Sequence, residues 1–226
     1  MTEPGLDPTR VQAVLFDVDG TLRDTDDELT ARLMARLPSR LGPVAPERLA
    51  RTLVCAAEST VQRVLALADR FDLDGPVNRA VARVVPGGHG GTRLTPHARD
   101  ALQGLSARYR LGVVSAGPEI AVANFLDEHD LTGLMDVVVS GLTFRRTKPH
   151  PEPVLGALKR LGVPPEGGVM VGDVPVDVRA GRAAGVQTVG VLTGFAGRRE
   201  LERAAPDLIV DDLSGLTRAL TGAVPA

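Results

Sequence analysis

Two aspartates separated by a single residue, Asp17 and Asp19, follow a short apolar run near the start of the chain, in the segment DVDGT at residues 17–21. Carboxylates at positions i and i+2, just past a buried strand, face a common end of that strand. One carboxylate can then attack an electrophile while the other moves protons. An acidic surface turn is the plain alternative, because Asp and Gly are common loop residues.

Three further polar residues follow later apolar runs. Ser115 comes directly after the second run, Asp173 follows the fourth after Gly172, and Lys148 follows the third across a short loop. Ligands of open parallel sheets bind beyond the carboxyl ends of the strands, so we expect these residues to meet Asp17 in one crevice. Each has a plain alternative when taken alone: a helix cap, a surface charge or a turn residue.

The residue types suit phosphoryl transfer. Asp17, Asp19 and Asp173 offer oxygens to a hard cation, and Mg²⁺ prefers a few carboxylates together with water and phosphate. Such an ion offsets the repulsion between a carboxylate nucleophile and an anionic phosphate. Ser115 can donate a hydrogen bond to a phosphate oxygen, and Lys148 supplies a compact positive charge. The set therefore points to Mg²⁺-dependent chemistry on a phosphate group.

The elements that must position these residues can be predicted from periodicity. Short, β-branched apolar runs alternate with helical patterns, which is typical of parallel strands covered by helices on both faces. We predict an α/β fold with a doubly wound, Rossmann-like parallel sheet. The predicted strands are residues 11–16, 111–114, 137–139, 169–171, 188–192 and 208–210. The predicted helices are residues 95–108, 151–161 and 176–184, the last two stopped by Gly162 and Gly185.

The segment between the first strand and residue 91 has no strand-like run. It carries amphipathic helical patterns and ends in a glycine-rich linker at residues 86–91. We predict a small all-helical cap domain inserted after the first strand. The patterns lie at residues 28–41, 46–71 and 77–85, and the predicted division is a catalytic core of residues 1–22 and 92–226 with a cap of residues 23–91.

Composition excludes several classes of partner. The formal net charge of −2 gives no basic field that would attract nucleic acid or an anionic membrane, and 3% aromatic residues leave few platforms for stacked bases. The only cysteine, Cys55, cannot form an internal disulfide, which fits a reducing compartment. No run approaches 18 apolar residues. We expect a cytoplasmic protein, monomer or homodimer, that binds neither nucleic acid nor membrane.

With its motifs in this order, the sequence resembles the haloacid dehalogenase-like hydrolase superfamily over essentially its whole length. The first motif is similar to residues 17–21, the second to Ser115, the third to Lys148 and the fourth to Asp173 with Asp177. The resemblance implies that Asp17 is the nucleophile, forming an aspartyl-phosphate, and that Asp19 protonates the leaving oxygen and then activates water. It implies Mg²⁺ held by Asp17, the backbone carbonyl of Asp19, and Asp173, with Asp177 in support. It also implies phosphate contacts from Thr21, Ser115, Ala116 and Lys148.

The insert looks like the mobile cap of the phosphoglycolate-phosphatase-like branch, and residues 22–24 like the turn that joins it to the core. The tail resembles that branch at residues 177–185, 188–191 and 194–195. Val174 departs from the pattern, since a small polar residue often stands there. The branch implies a phosphatase acting on a small phosphorylated metabolite, with phosphoglycolate as the favoured single guess.

Three other interpretations share these residues. A sugar phosphomutase uses the same two aspartates and the same type of cap. A phosphoacceptor module of the receiver type also combines acids, a Ser or Thr and a Lys on a parallel sheet, although the DVDGT segment and the helical insert weigh against it. A non-catalytic relative is disfavoured because every catalytic position is intact. Asp19 argues against the dehalogenases and ion-pumping ATPases, which lack an acid there.

Overall fold

The core of the protein is a six-stranded parallel sheet. The computed structural model describes residues 5–24 and 93–222. The strands are β1 (Ala13–Phe16), β4 (Arg110–Val114), β5 (Val137–Val139), β6 (Gly168–Gly172), β7 (Gln187–Val191) and β8 (Leu208–Val210). They run in the order β5-β4-β1-β6-β7-β8, so β1 lies near the centre with β4 and β6 as its parallel neighbours. All six predicted strands are confirmed, with ends that shift by at most two residues.

Six α-helices connect and cover these strands in the described part of the chain. The three predicted helices are confirmed, and α3 and α4 end at Gly162 and Gly185, whose φ angles of 71° and 75° are left-handed as a glycine stop requires. Among the described residues, no helix combines the length and the apolar character needed to cross a membrane. The helices are α1 (Ala98–Ser106), α2 (Glu119–Glu128), α3 (Glu152–Leu161), α4 (Pro175–Ala184), α5 (Arg198–Ala204) and α6 (Leu213–Thr221).

Both faces of the sheet are covered. Successive side chains of a strand point to opposite faces, and β1 shows this directly. Val14 and Phe16 belong to the apolar cluster formed with α1, α2 and α6, whereas Ala13 and Leu15 belong to the cluster formed with α3 and α4. All four side chains are fully buried, which explains the uninterrupted apolar run at this point of the sequence. The predicted doubly wound α/β core is confirmed.

A two-stranded antiparallel ribbon marks the place where the chain leaves the core. Strands β2 (Arg23–Asp24) and β3 (Arg93–Leu94) pair with each other, and Asp24 lies opposite Arg93. The chain therefore departs from the core and returns to it at adjacent positions. The predicted cap helices, the glycine-rich linker and Cys55 lie outside the described residues, so the helical cap and its boundaries stay a prediction.

Candidate active site

Three of the predicted residues follow three neighbouring strands. Asp17 follows β1, Ser115 follows β4 and Asp173 follows β6, and these strands are adjacent in the sheet. The backbone hydrogen bonds of the sheet extend as far as Asp17 and Ser115. The Asp17 amide donates to the Val171 carbonyl and the Ser115 amide to the Val139 carbonyl, each at 2.9 Å. The carboxyl edge of the sheet thus collects side chains that lie far apart in the sequence.

Lys148 joins this group from the loop between β5 and α3. Its Nζ lies 2.9 Å from Asp17 Oδ1 and 2.6 Å from Asp177 Oδ1. The lysine side chain is only 3% exposed, so its charge is held between two carboxylates in a site from which water is largely excluded. The structure therefore brings together residues of the first, third and fourth motifs.

Backbone segments pack closely around the side chain of Asp173. Its Oδ1 accepts a hydrogen bond from the Thr21 hydroxyl at 3.1 Å, and its Oδ2 accepts one from the Phe195 amide at 2.9 Å. A Cβ on Gly20 would lie 2.3 Å from Asp173 Oδ2, and one on Gly194 would lie 2.1 Å from it. Gly20 also has a φ of +76°, which favours glycine. No side chain fits at either position, so the backbone itself encloses the carboxylate.

Burial is the largest single influence on the pKa values of these groups. Burial, followed by the charges of Asp177 and Asp17, raises the pKa of Asp173 well above its ordinary value. Burial also raises the pKa of Asp177 to about 6, although the charge of Lys148 opposes the rise. Burial alone would lower the pKa of Lys148, but the carboxylates of Asp17 and Asp177 more than reverse that effect and raise it. The lysine is therefore a permanent cation at neutral pH.

The acid cluster has the donor set of a divalent cation site. One carboxylate oxygen from each of Asp17, Asp173 and Asp177 lies within 4.8 Å of the others, and all three residues are buried. A cation among crowded carboxylates offsets their mutual repulsion. All of the donors are hard oxygens, which suits Mg²⁺ or Ca²⁺ better than a softer metal. These residues fit the metal site that the sequence predicts.

Asp19 stands apart from the acid cluster. Its side chain is 41% exposed, and its Oδ1 lies 3.2 Å from Arg23 Nη1. Desolvation in the crevice raises the pKa of Asp19, and the Arg23 guanidinium opposes the rise. Because much of the carboxylate still meets solvent, we take this rise to be smaller than that of the fully buried Asp173. A carboxyl group with a raised pKa at the mouth of the site suits proton transfer.

The loop after β4 is tightly organised. The Gly117 amide donates to the Ser115 hydroxyl at 3.0 Å, and the Gly141 amide donates to the Gly117 carbonyl at 2.9 Å. Gly141 packs so closely that a Cβ there would lie 2.2 Å from the Ala116 carbonyl oxygen. Thr21, in contrast, is fully buried with its hydroxyl on Asp173. The predicted phosphate contacts of Thr21, Ser115, Ala116 and Lys148 stay predictions.

Several residues at the site were not predicted from the sequence. The Thr95 hydroxyl donates to the Thr21 carbonyl at 2.6 Å, and the Thr193 hydroxyl donates to the Gly20 carbonyl at 2.8 Å, so both fix the segment that follows Asp17. Arg23 contacts Asp19 directly. The opposite charges of Asp19 and Arg23, four residues apart, were a signal that could have found this pair, whereas nothing in the local sequence marks Thr95.

The chain is similar to known proteins over most of its length. A family model described as haloacid dehalogenase-like hydrolase matches residues 14–191, which is most of the chain. The chain belongs to that family. A phosphoglycolate phosphatase from Salmonella typhi is 32% identical over 233 residues, which cover 93% of this chain and 92% of that protein. The family match leaves the receiver-type alternative without support.

Solved structures show the same fold at lower identity. The L-2-haloacid dehalogenase from Xanthobacter autotrophicus has a TM-score of 0.68 at 20% identity, covering 94% of this chain and 99% of that one. A candidate β-phosphoglucomutase from Thermotoga maritima has a TM-score of 0.64 at 24% identity, covering 94% of this chain and 100% of that one. Two proteins whose names denote different reactions thus share this fold, so the reaction must be argued from the site.

Proposed function

We propose that this protein is a Mg²⁺-dependent phosphatase that hydrolyses a small phosphorylated metabolite through a phosphoenzyme on Asp17. The observation that carries the proposal is the contact of Lys148 with both Asp17 and Asp177, at 2.9 Å and 2.6 Å, beside the buried Asp173. A carboxylate nucleophile must approach an anionic phosphate, and a fixed cation beside it lowers that repulsion. The similarity to a phosphoglycolate phosphatase, 32% identical over 93% of this chain, supports the same reaction class.

In the first step, a carboxylate oxygen of Asp17 attacks phosphorus, and the bond from phosphorus to the leaving-group oxygen breaks. The electron pair of that bond remains on the leaving oxygen, which takes a proton from Asp19. The products are an aspartyl-phosphate and a free alcohol. The exposed position of Asp19 and its raised pKa support its role as the acid.

In the second step, a water molecule attacks the phosphorus of the phosphoenzyme. Asp19, now a carboxylate, takes a proton from that water, and the bond from phosphorus to the Asp17 oxygen breaks. Inorganic phosphate leaves, Asp17 regains its carboxylate, and Asp19 is protonated again for the next turnover. Lys148 stays charged throughout, because its pKa lies above its ordinary value.

Asp17, Asp173 and Asp177 would hold the metal ion, together with the backbone carbonyl of Asp19. Bound there, Mg²⁺ would supply charge neutralisation for the phosphate oxygens. The larger and looser coordination of Ca²⁺ should misplace the nucleophile. We therefore expect hydrolysis to stop after exhaustive chelation, to return with Mg²⁺ and to be inhibited by Ca²⁺. Full activity of the chelated protein would contradict the metal requirement.

Selection among substrates needs a segment outside the core, because the residues at the sheet edge contact only the transferred group. The predicted cap is such a segment, and a closing lid favours a small metabolite over a phosphoprotein. The identity to the Salmonella phosphatase supports phosphoglycolate as the first substrate to test. A cytoplasmic location and a monomer or homodimer remain part of the proposal, and the single cysteine is consistent with that location.

The experiment is a screen of the purified protein against a panel of phosphorylated metabolites, with release of inorganic phosphate as the readout. Asp17→Asn is the negative control and should show neither turnover nor a trapped covalent phosphate. A phosphomutase would instead interconvert sugar phosphates with little free phosphate. If no panel member yields phosphate with Mg²⁺ present, the phosphatase assignment fails.

A further inference from the structure

Arg23 is held at the edge of the site by three contacts. Its Nη1 lies 3.2 Å from Asp19 Oδ1, its Nη2 donates to the Ala121 carbonyl at 3.1 Å, and its guanidinium lies 4.6 Å from the centre of the Phe125 ring. Ala121 and Phe125 both belong to α2, which is part of the core. A planar guanidinium is suited to this combination of two hydrogen bonds and ring stacking, whereas a lysine ammonium is not.

The backbone brings Arg23 back beside Asp19. The Val18 carbonyl accepts from the Arg23 amide at 2.8 Å, and the Arg23 carbonyl accepts from the Gly20 amide at 2.8 Å, which closes a tight turn. The acid and the arginine therefore move as one unit of chain. Helix α2 fixes the far end of the side chain, so the core determines where the carboxylate stands.

Only one oxygen of Asp19 is used in this contact. Arg23 binds Oδ1, whereas Oδ2 lies 3.9 Å from the point where a Cβ on Gly117 would be, next to the loop that carries Ser115. The second oxygen thus faces the loop predicted to contact the phosphate. That is the oxygen from which a proton could pass to a leaving group.

Arg23 also carries a cost in stability. Its Nε is buried and has no hydrogen-bond partner among the described residues. A buried donor without a partner destabilises a fold, and an apolar side chain stacked on Phe125 would avoid that cost. Packing on Phe125 alone does not require a charged side chain, so the charge of Arg23 is available to the neighbouring carboxylate.

We propose that Arg23 is a positioning residue, which anchors Asp19 Oδ1 to helix α2 so that Oδ2 is directed at the leaving-group oxygen. The inference rests on the proposed function, since it takes Asp19 as the proton donor. It predicts that loss of Arg23 lowers kcat/KM most for substrates whose leaving group must be protonated as it departs.

The test compares kcat/KM of Arg23→Met and wild type on aryl and alkyl phosphates whose leaving groups differ in pKa. A general acid contributes on the order of 10²–10⁴-fold, so a misplaced acid should lose about 10-fold or more on alkyl phosphates and little on 2,4-dinitrophenyl phosphate. Arg99→Met is the matched control, because Arg99 also donates to a carbonyl near the end of α2, that of His129 at 2.7 Å, and has no contact with Asp19.

A second variant, Arg23→Lys, covers the case in which Arg23→Met does not fold. It keeps a charge near Asp19 and should show the same dependence on the leaving group, to a smaller extent. An equal loss on all substrates, or the same dependence in Arg99→Met, would overturn the positioning role. A wild-type protein inactive on every phosphate would instead refute the proposed function, so the two failures are distinguishable.

Discussion

Lys148 holds a full positive charge between Asp17 and Asp177 with its side chain almost completely buried. A charge in such a place depends on its partners, and the partners depend on it. Removing one member of a buried ion pair leaves an uncompensated charge behind. The lysine therefore holds the acid cluster together. In the proposed reaction it would also offset the charge that a phosphate brings.

We expect Lys148→Ala to raise the reaction barrier by about 2–4 kcal/mol, because a fixed charge-stabilising donor is lost. The measurement is kcat with p-nitrophenyl phosphate and saturating Mg²⁺. Lys159→Ala is the matched control, since Lys159 is an exposed lysine of α3. A Lys148→Ala rate close to that of the control would show that the buried charge does not assist the reaction.

The raised pKa values of Asp173 and Asp177 predict how stability depends on pH. A carboxylate whose pKa is higher in the folded chain binds more protons when folded, so the free energy of unfolding falls as pH rises. For Asp177 this loss begins above the ordinary value of 3.8 and is complete above about 6. A Mg²⁺ ion held by the acid cluster would compete with those protons and compensate the buried negative charge.

Thermal unfolding should therefore show a larger Mg²⁺-induced rise in Tm at pH 7 than at pH 5. Without metal, in the presence of a chelator, the protein should be less stable at pH 7 than it would be if the acid cluster were neutral. Asp177→Asn is the matched variant, and its Mg²⁺ response should depend less on pH. An equal rise in Tm at both pH values would contradict this account of the cluster.

At the level of the elements, the loops that follow the strands approach one another through glycine. Gly20 comes from the loop after β1 and Gly194 from the segment after β7, and both pack on Asp173. The carboxylate is immobilised because backbone, rather than flexible side chains, forms its walls. A side chain added at either position must displace the acid or the loop.

Gly194→Ala should consequently reduce stability by about 1–3 kcal/mol, the usual cost of overpacking, and should impair activity as well. Gly133→Ala is the matched control, because a Cβ at Gly133 would lie more than 4 Å from every other residue that the structure describes, its chain neighbours apart. Chemical denaturation gives the stability change and the phosphatase assay gives the activity. Two variants with the same midpoint and rate would show that the loop moves aside freely.

Local patterns were enough to predict the strands and two glycine stops. Apolar runs such as residues 111–114 need two buried faces, and a glycine at a helix end is visible in the sequence. Helix α6 was missed although it carries comparable signals, an Asp212 side chain that caps its start and Gly222 at its end.

The contacts of Arg23 could not be predicted in the same way. They depend on Ala121, which lies 98 residues further along the chain, and on the packing of α2 against the turn after β1. Periodicity reports which side of an element is buried, not which distant element covers it. The same holds for Gly194 and Asp173, whose close approach is a product of tertiary packing.

At the level of the whole molecule, the β2–β3 ribbon places the two ends of the insert next to each other, so that the chain leaves and re-enters the core at one place. Asp24 and Arg93 are paired across the ribbon. Replacing residues 25–92 with a short Gly-Ser linker should therefore leave the core folded, because the loop ends are already adjacent.

The expected result is a folded protein that hydrolyses p-nitrophenyl phosphate but has lost its ranking of metabolites, since the predicted cap would no longer contact leaving groups. Circular dichroism and thermal unfolding report the fold, and the metabolite panel reports the preference. The full chain is the reference in both measurements. A shortened protein with an unchanged ranking would show that specificity comes from the core.

The position of β1 at the centre of the sheet also affects folding during translation. Its neighbour β4 begins at Arg110 and its neighbour β6 at Gly168. A ribosome adds roughly 5–20 residues per second, so the completed β1 waits roughly 5–20 s for its first partner and longer for its second. During that interval an apolar strand with two unpaired edges is open to aggregation and to chaperones. Asp17 is thus synthesised well before Asp173 and Asp177, the other members of the acid cluster.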